Sequence, residues 1–217
     1  MAKPIRETPR GIEKRTTYPL VVIVCEGKKT EPTYFEHFRG RHKPIKIEIV
    51  TNAAGKNYDA IIAEAIKAKD KYVTGTESSY SVWCVSDVDV DYNTPDSQSA
   101  KNARLKKYSK DASRNGFKIV LSNPCFELWF LLHFAYSTGY IQNYDSIKKN
   151  LLKYLPDYQK DIDIYDFLKD EQKTAVSNAK KLKKFHEMQG KKDLMDVSAN
   201  PYTNVWELVE CINGEQR

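Results

Sequence analysis

The segment from Ser81 to Asp91, SVWCVSDVDVD, is an apolar run that ends in three carboxylates at alternate positions. Side chains two apart in an extended chain point the same way, so Asp87, Asp89 and Asp91 form one anionic row if the strand continues through them. Such a row needs a cation. Leu20 to Gly27, LVVIVCEG, is built the same way: an apolar run delivers Glu26 and then a glycine. Ligands of open parallel sheets bind beyond the carboxyl ends of the strands. Two strands that each end in carboxylates therefore predict an α/β fold with a metal site at one end.

The order of the remaining segments fits that placement. Leu20 to Cys25 is continuous and β-branched, as a central strand covered on both faces requires. Gly27 permits a tight turn, Thr30 or Glu31 can cap, and Pro32 suits a first helical turn, so a helix is predicted through Tyr34, Phe35 and Phe38 to about Arg39. Ile45, Ile47 and Ile49 alternate with Lys46 and Glu48, which predicts a half-exposed strand nearer a sheet edge. Tyr58, Ile61, Ile62, Ala65, Ile66 and Lys69 recur at helical spacing. Tyr80 to Ser86 is the third strand, Ser97 to Asn115 a basic helix stopped by Gly116, and Phe117 to Leu121 a fourth strand. Strand and helix in alternation imply right-handed crossovers and a mainly parallel sheet of about four strands.

From Asn123 the character changes. FELWFLLHF, Phe126 to Phe134, is apolar nearly all round and predicts a buried helix, with Asn123 as its cap and Pro124 in its first turn. Further helices are predicted over 146–154, 162–168, 174–188 and 203–211, the last introduced by Asn200 and Pro201. The chain thus divides into a basic N-terminal arm (1–18), an α/β core (19–122) and a helical C-terminal part (123–217) packed on that core.

Glu26 with Asp87, Asp89 and Asp91 suits Mg²⁺ or Mn²⁺ better than other cofactors, because these ions prefer a few carboxylates, several waters and a substrate phosphate oxygen. Without an ion, carboxylates so close repel and raise one another's pKa. An ion there could stabilise charge developing at a phosphodiester, with Glu26 as general base for the attacking water or as a metal bridge. A carboxylate at a helix start and a plain acidic turn are the blander alternatives for each motif taken alone. The glycine and terminal glutamate of an EF-hand loop are absent, and Gly55-Lys56 lacks the upstream glycine of an ATP-binding loop.

These motifs resemble the Toprim fold of topoisomerases, primases and overcoming-lysogenization-defect nucleases. More narrowly, Val24 to Gly27 with Thr30 to Phe35, SNPCFELWFLLHF at Ser122 to Phe134, and NPYTNVWELVE at Asn200 to Glu210 resemble the RloB family, over about residues 18 to 212. That family is encoded near restriction loci and linked to phage defence and abortive infection. The resemblance implies a Toprim-like core with a helical C-terminal extension and a Mg²⁺- or Mn²⁺-dependent nuclease site. In it Glu26 is the acid/base candidate, Asp87 and Asp89 are metal ligands, and Asp91 matches a third acid found in only some Toprim enzymes. Glu127, one turn into the helix after the fourth strand, could join the site; the alternative is a buried carboxylate tied to the backbone or to an arginine.

An excess of 35 Lys+Arg over 29 Asp+Glu, net +6, favours a polyanionic partner, DNA or RNA. Lys28 and Lys29 would stand at the rim of the site as phosphate contacts. Lys106, Lys110 and Arg114 fall at four-residue steps and offer a stripe for a nucleic-acid backbone, or simply a solvated helix face. The four cysteines lie far apart and read as reduced, buried thiols, and His37, His42, His133 and His186 form no catalytic grouping. With no apolar stretch long enough to span a bilayer and no signal segment, a soluble cytoplasmic protein is expected. Two other functions fit the same residues: a non-catalytic effector subunit that binds nucleic acid or an AAA- or ABC-type ATPase, and nucleotidyl transfer of the primase kind.

Overall fold

The structure, a computed structural model, describes residues 17–40, 44–51, 57–90, 95–160 and 162–214. Four strands alternate with three helices: β1 (Leu20–Cys25), α1 (Thr30–Glu36), β2 (Lys46–Thr51), α2 (Tyr58–Tyr72), β3 (Tyr80–Asp87), α3 (Pro95–Asn115) and β4 (Lys118–Asn123). There follow α4 (Glu127–Leu132), α5 (Tyr144–Leu151), α6 (Tyr165–Leu168), α7 (Gln172–Met188), a two-residue strand β5 (Tyr202–Thr203) and α8 (Val205–Asn213). The sheet order is β2-β1-β3-β4-β5, parallel throughout except for β5, which is antiparallel to β4.

β1 is central and wholly buried, and its alternation divides the interior into two cores. Val21, Ile23 and Cys25 pack with α1, α4 and the C-terminal helices. Leu20, Val22 and Val24 pack with Ile61 and Ala65 of α2 and with Leu105, Tyr108 and Ala112 of α3. A residue pattern of period two thus meets helices on both faces, the usual condition of a parallel sheet. β2 is an edge strand, half-exposed as its Lys/Ile/Glu alternation requires, with only Ile47 fully buried.

Three expectations are corrected. Asn123 does not cap α4: it is the last residue of β4, and α4 begins behind Phe126 with no side-chain cap. The helix is also shorter than its apolar run, because Cys125, Phe126 and His133 are buried in flanking turns. Thr203 belongs to a fifth strand rather than to the last helix. The expected arm falls almost entirely outside the described residues.

Candidate functional site

The carboxyl ends of β1 and β3 lie side by side, with Cys25 opposite Val85. One step further, the Glu26 amide donates to Val85 O at 2.9 Å, and Glu26 Oε2 accepts from the Asp87 amide at 3.1 Å. Glu26 therefore reaches across to the neighbouring strand end. Beyond Asp87 the chain leaves the sheet: Val88 N donates to Ser122 O at 2.8 Å and Asp89 N to Pro124 O at 3.1 Å. Asp89 has φ 44°, a left-handed conformation that costs a non-glycine residue about 1–2 kcal/mol. Asp87 consequently keeps a carboxylate oxygen sealed from solvent, whereas Asp89 is exposed on the turn above it. The alternate row does not form as a strand, and Asp91 lies outside the described residues.

Two further acids complete the cluster. Glu127, the first residue of α4, is 1% exposed, and its Oε1 has no hydrogen-bond partner among the described residues. Glu31 is 5% exposed in the first turn of α1, and its carboxylate folds back to accept from the Gly27 amide at 3.2 Å. A Cβ on residue 27 would stand 2.2 Å from Glu31 Oε2, so the turn after Glu26 admits only glycine without displacing that carboxylate. Sequence reasoning gave Glu31 a capping role and missed its place in the cluster. The available signal was a second glutamate one helical turn beyond the strand-end Glu-Gly pair.

These groups repel one another. Burial, and then the charges of Glu31, Glu127, Glu26 and Asp89, push the Asp87 carboxyl well above its ordinary value. Burial raises Glu31 too, Glu127 and Glu26 add to the rise, and its own amide and that of Gly27 oppose it. Buried acceptors are nearly always satisfied, so the orphaned Asp87 Oδ1 and Glu127 Oε1 call for a proton or a cation beside them. An all-oxygen, all-carboxylate donor set is what Mg²⁺ or Mn²⁺ takes. Among the described residues, no three His, Cys, Asp or Glu side chains already surround one ion position. Burial, followed by Glu127 and Asp87, drives the Cys125 thiol upward, so a thiolate nucleophile is disfavoured there. His133, lowered to about 4 by burial and bonded through Nδ1 to Trp129 O, is a core residue.

Of the basic residues expected near the site, Lys28 and Lys29 are exposed on the turn directly after Glu26. Lys106, Lys110 and Arg114 are exposed as well, but α3 starts at the carboxylate end of the sheet and finishes at the start of β4. Its rise carries Arg114 about 20 Å along the helix from Lys101, so this stripe leads away from the acids. Lys101 and Lys160 lie closer, each feeling the field of Asp87.

The acids rest on an asparagine framework. Asn123 Nδ2 donates to Val197 O and Ala199 O at 3.0 and 2.8 Å, and Asn200 Nδ2 donates to Asn123 Oδ1 and Ile141 O at 3.2 and 2.8 Å. Asn204 acts as a strand partner for β4, accepting from Leu121 N at 2.7 Å and donating to Ile119 O at 2.9 Å. The Asn123-Pro124 and Asn200-Pro201 peptides are both cis. The SNPC and NPYTN blocks thus form one platform, and Pro124 O of that platform holds the Asp89 turn.

A mainly parallel α/β sheet whose strand ends gather buried, mutually repelling carboxylates defines a class of protein with an acidic site open to a cationic ligand. Within that class the sequence places the chain closely. It belongs to the RloB-like protein family, whose sequence model matches residues 21–212 and so takes in every acid of the cluster and both platform blocks. No curated protein and no solved structure matches it.

Proposed function

We propose that the protein is a Toprim-like, divalent-metal-dependent hydrolase of phosphodiester bonds in DNA or RNA, serving phage defence by abortive infection as the family resemblance implies. One observation carries this reading: two carboxylate oxygens, Asp87 Oδ1 and Glu127 Oε1, are buried without partners at the place where Glu26, Glu31 and Asp89 also gather their charge. Asp87 and Asp89 would hold Mg²⁺ or Mn²⁺, with Glu127 or Glu31 as a further ligand. When bound, the ion supplies charge neutralisation at the phosphoryl oxygen and a lowered pKa for a water. Glu26, half-buried at the end of β1 beside Asp87, takes the proton of the attacking water. Lys28 and Lys29 meet the backbone at the rim, and an AAA- or ABC-type ATPase partner would govern access to the site.

A non-catalytic effector subunit is the second reading, favoured by the lack of three donors already converged on one ion position among the described residues. Incubation with supercoiled DNA, linear DNA, single strands and total RNA, with and without Mn²⁺, separates the two. Cleavage that is lost, by at least about 10²-fold, in Asp87→Ala and Asp89→Ala supports the hydrolase. Full activity in either variant removes the assignment, and tight metal binding with no turnover on any substrate supports the effector.

A further inference from the structure

We propose that Lys101 and Lys160 are phosphate-binding positions on opposite sides of the carboxylates, so that a nucleic-acid strand crosses the cluster with one backbone phosphate at each lysine. This deepens the hydrolase reading and rests on it. In the sequence Lys101 stands only at the start of the basic stripe that Lys106, Lys110 and Arg114 continue, and Lys160 belongs to no recognisable pattern.

Lys101, half-buried in the second turn of α3, places Nζ 4.9 Å from the centroid of the Tyr58 ring. Tyr58 donates its hydroxyl to Asp87 O at 3.0 Å and stacks on Tyr108 at 4.6 Å and 7°. The ammonium is therefore parked on a rigid aromatic pair that is itself bonded to the end of β3. Lys160 reaches the cluster from the other layer. Its carbonyl accepts from Thr30 Oγ1 at 3.1 Å, which pins it beside the start of α1, and its Nζ lies 4.6 Å from the centroid of Tyr144.

The two cations feel different halves of the same cluster. Burial lowers the Lys101 ammonium, against the pull of Glu26, Asp89 and Asp87. Burial also opposes the charge on Lys160, which the carboxylates of Glu127 and Asp87 sustain. Tyr58 belongs to the core on one face of the sheet and Tyr144 packs against the core on the other, so the lysines that rest on them bracket the Asp87 end of β3. Neither closes an ion pair with a carboxylate among the described residues; a lysine kept only to neutralise the acids would have closed one. An ammonium resting on a tyrosine face is instead free to swing to a phosphate, and two such positions flanking a hydrolytic centre suit consecutive linkages of one strand.

The test measures binding of labelled single-stranded DNA, single-stranded RNA and duplex DNA against salt concentration in Ca²⁺ buffer, with oligonucleotide integrity checked. The proteins are wild type, Lys101→Gln, Lys160→Gln, the pair, and Lys184→Gln on the exposed face of helix α7, all with unfolding midpoints recorded. The log-log salt slope should fall by about 0.7 per lysine on single strands, or about 0.9 on duplex, and about twice that in the pair, with Lys184→Gln unchanged. Whichever oligonucleotide shows the change identifies the strand. Lys101→Arg should restore both slope and affinity. Wild-type slopes in folded Lys101→Gln and Lys160→Gln overturn the inference even if cleavage is normal, as does a wild-type protein that binds no oligonucleotide. Altered slopes in a protein that cleaves nothing sustain the strand path and remove the hydrolase reading instead.

Discussion

A carboxylate oxygen shut away from water and from every donor is tolerable only with a proton or a cation beside it, and Asp87 Oδ1 and Glu127 Oε1 are both in that position. The consequence is a pH dependence of definite sign. A carboxyl whose value is raised on folding keeps its proton after the unfolded chain has lost it, so the metal-free fold is favoured at low pH. It loses ground as pH climbs from the ordinary 4.5 of Glu31 and 3.8 of Asp87 through their raised values. Thermal melts in EDTA should show a midpoint that falls as pH rises above the ordinary carboxylate range, and Mn²⁺ should restore more of it at the upper end. Glu31→Gln should flatten the EDTA profile; an unchanged slope in that variant would count against the raised carboxyl. Gly27→Ala, which puts a methyl 2.2 Å from Glu31 Oε2, should cost about 1–3 kcal/mol in urea unfolding and weaken Mn²⁺ binding. At this scale Glu26, Asp87 and Asp89 were legible because each follows an apolar strand. Glu31 was not, since a glutamate in a first helical turn is ordinary and only the fold-back onto Gly27 makes it part of the cluster.

Among the elements, β4 is the one most dependent on side chains. Its outer edge is closed by β5 over two residue pairs and by Asn204, whose amide imitates a strand on Leu121 N and Ile119 O. Asn204→Ala leaves both backbone groups without a partner and should cost about 2–4 kcal/mol, read as a shift of the urea midpoint. Asn204→Asp, able to accept but not to donate, should fall between that variant and wild type; equal stability of all three would contradict the edge-partner role. The four parallel strands could be read from their apolar runs and the intervening helical spacing. β5 could not, because two residues carry no period. Asn-Pro before an apolar run has the composition of a helix start, and nothing in one sequence says that Asn123 and Asn200 spend their amides on each other's blocks.

For the molecule as a whole, the sheet separates two interiors that draw on different parts of the chain. The α2 and α3 side is made almost entirely by residues before Leu121, whereas the opposite side takes Phe126, Trp129, Leu182 and Leu208 against Ile23 and Phe35. A chain ending at residue 122 would expose that second face of β1, β3 and β4. It should show no cooperative unfolding transition, and a sharp transition in such a fragment would mark the first 122 residues as self-sufficient. No helix of the described residues is long and apolar enough to cross a membrane. The apolar extent of both parts could be seen in the sequence, but the sharing of one core could not, since periodicity identifies a buried face without naming its partner. The same arrangement sets a timetable. Asn204 emerges from the ribosome 83 residues after Leu121, a delay of about 4–17 s at ordinary rates of synthesis. Every described acid of the cluster is already made by then, yet the edge of β4 and the platform under Glu127 are unfinished. If the site cuts nucleic acid, a nascent chain is harmless to the ribosome that makes it until its last supports arrive.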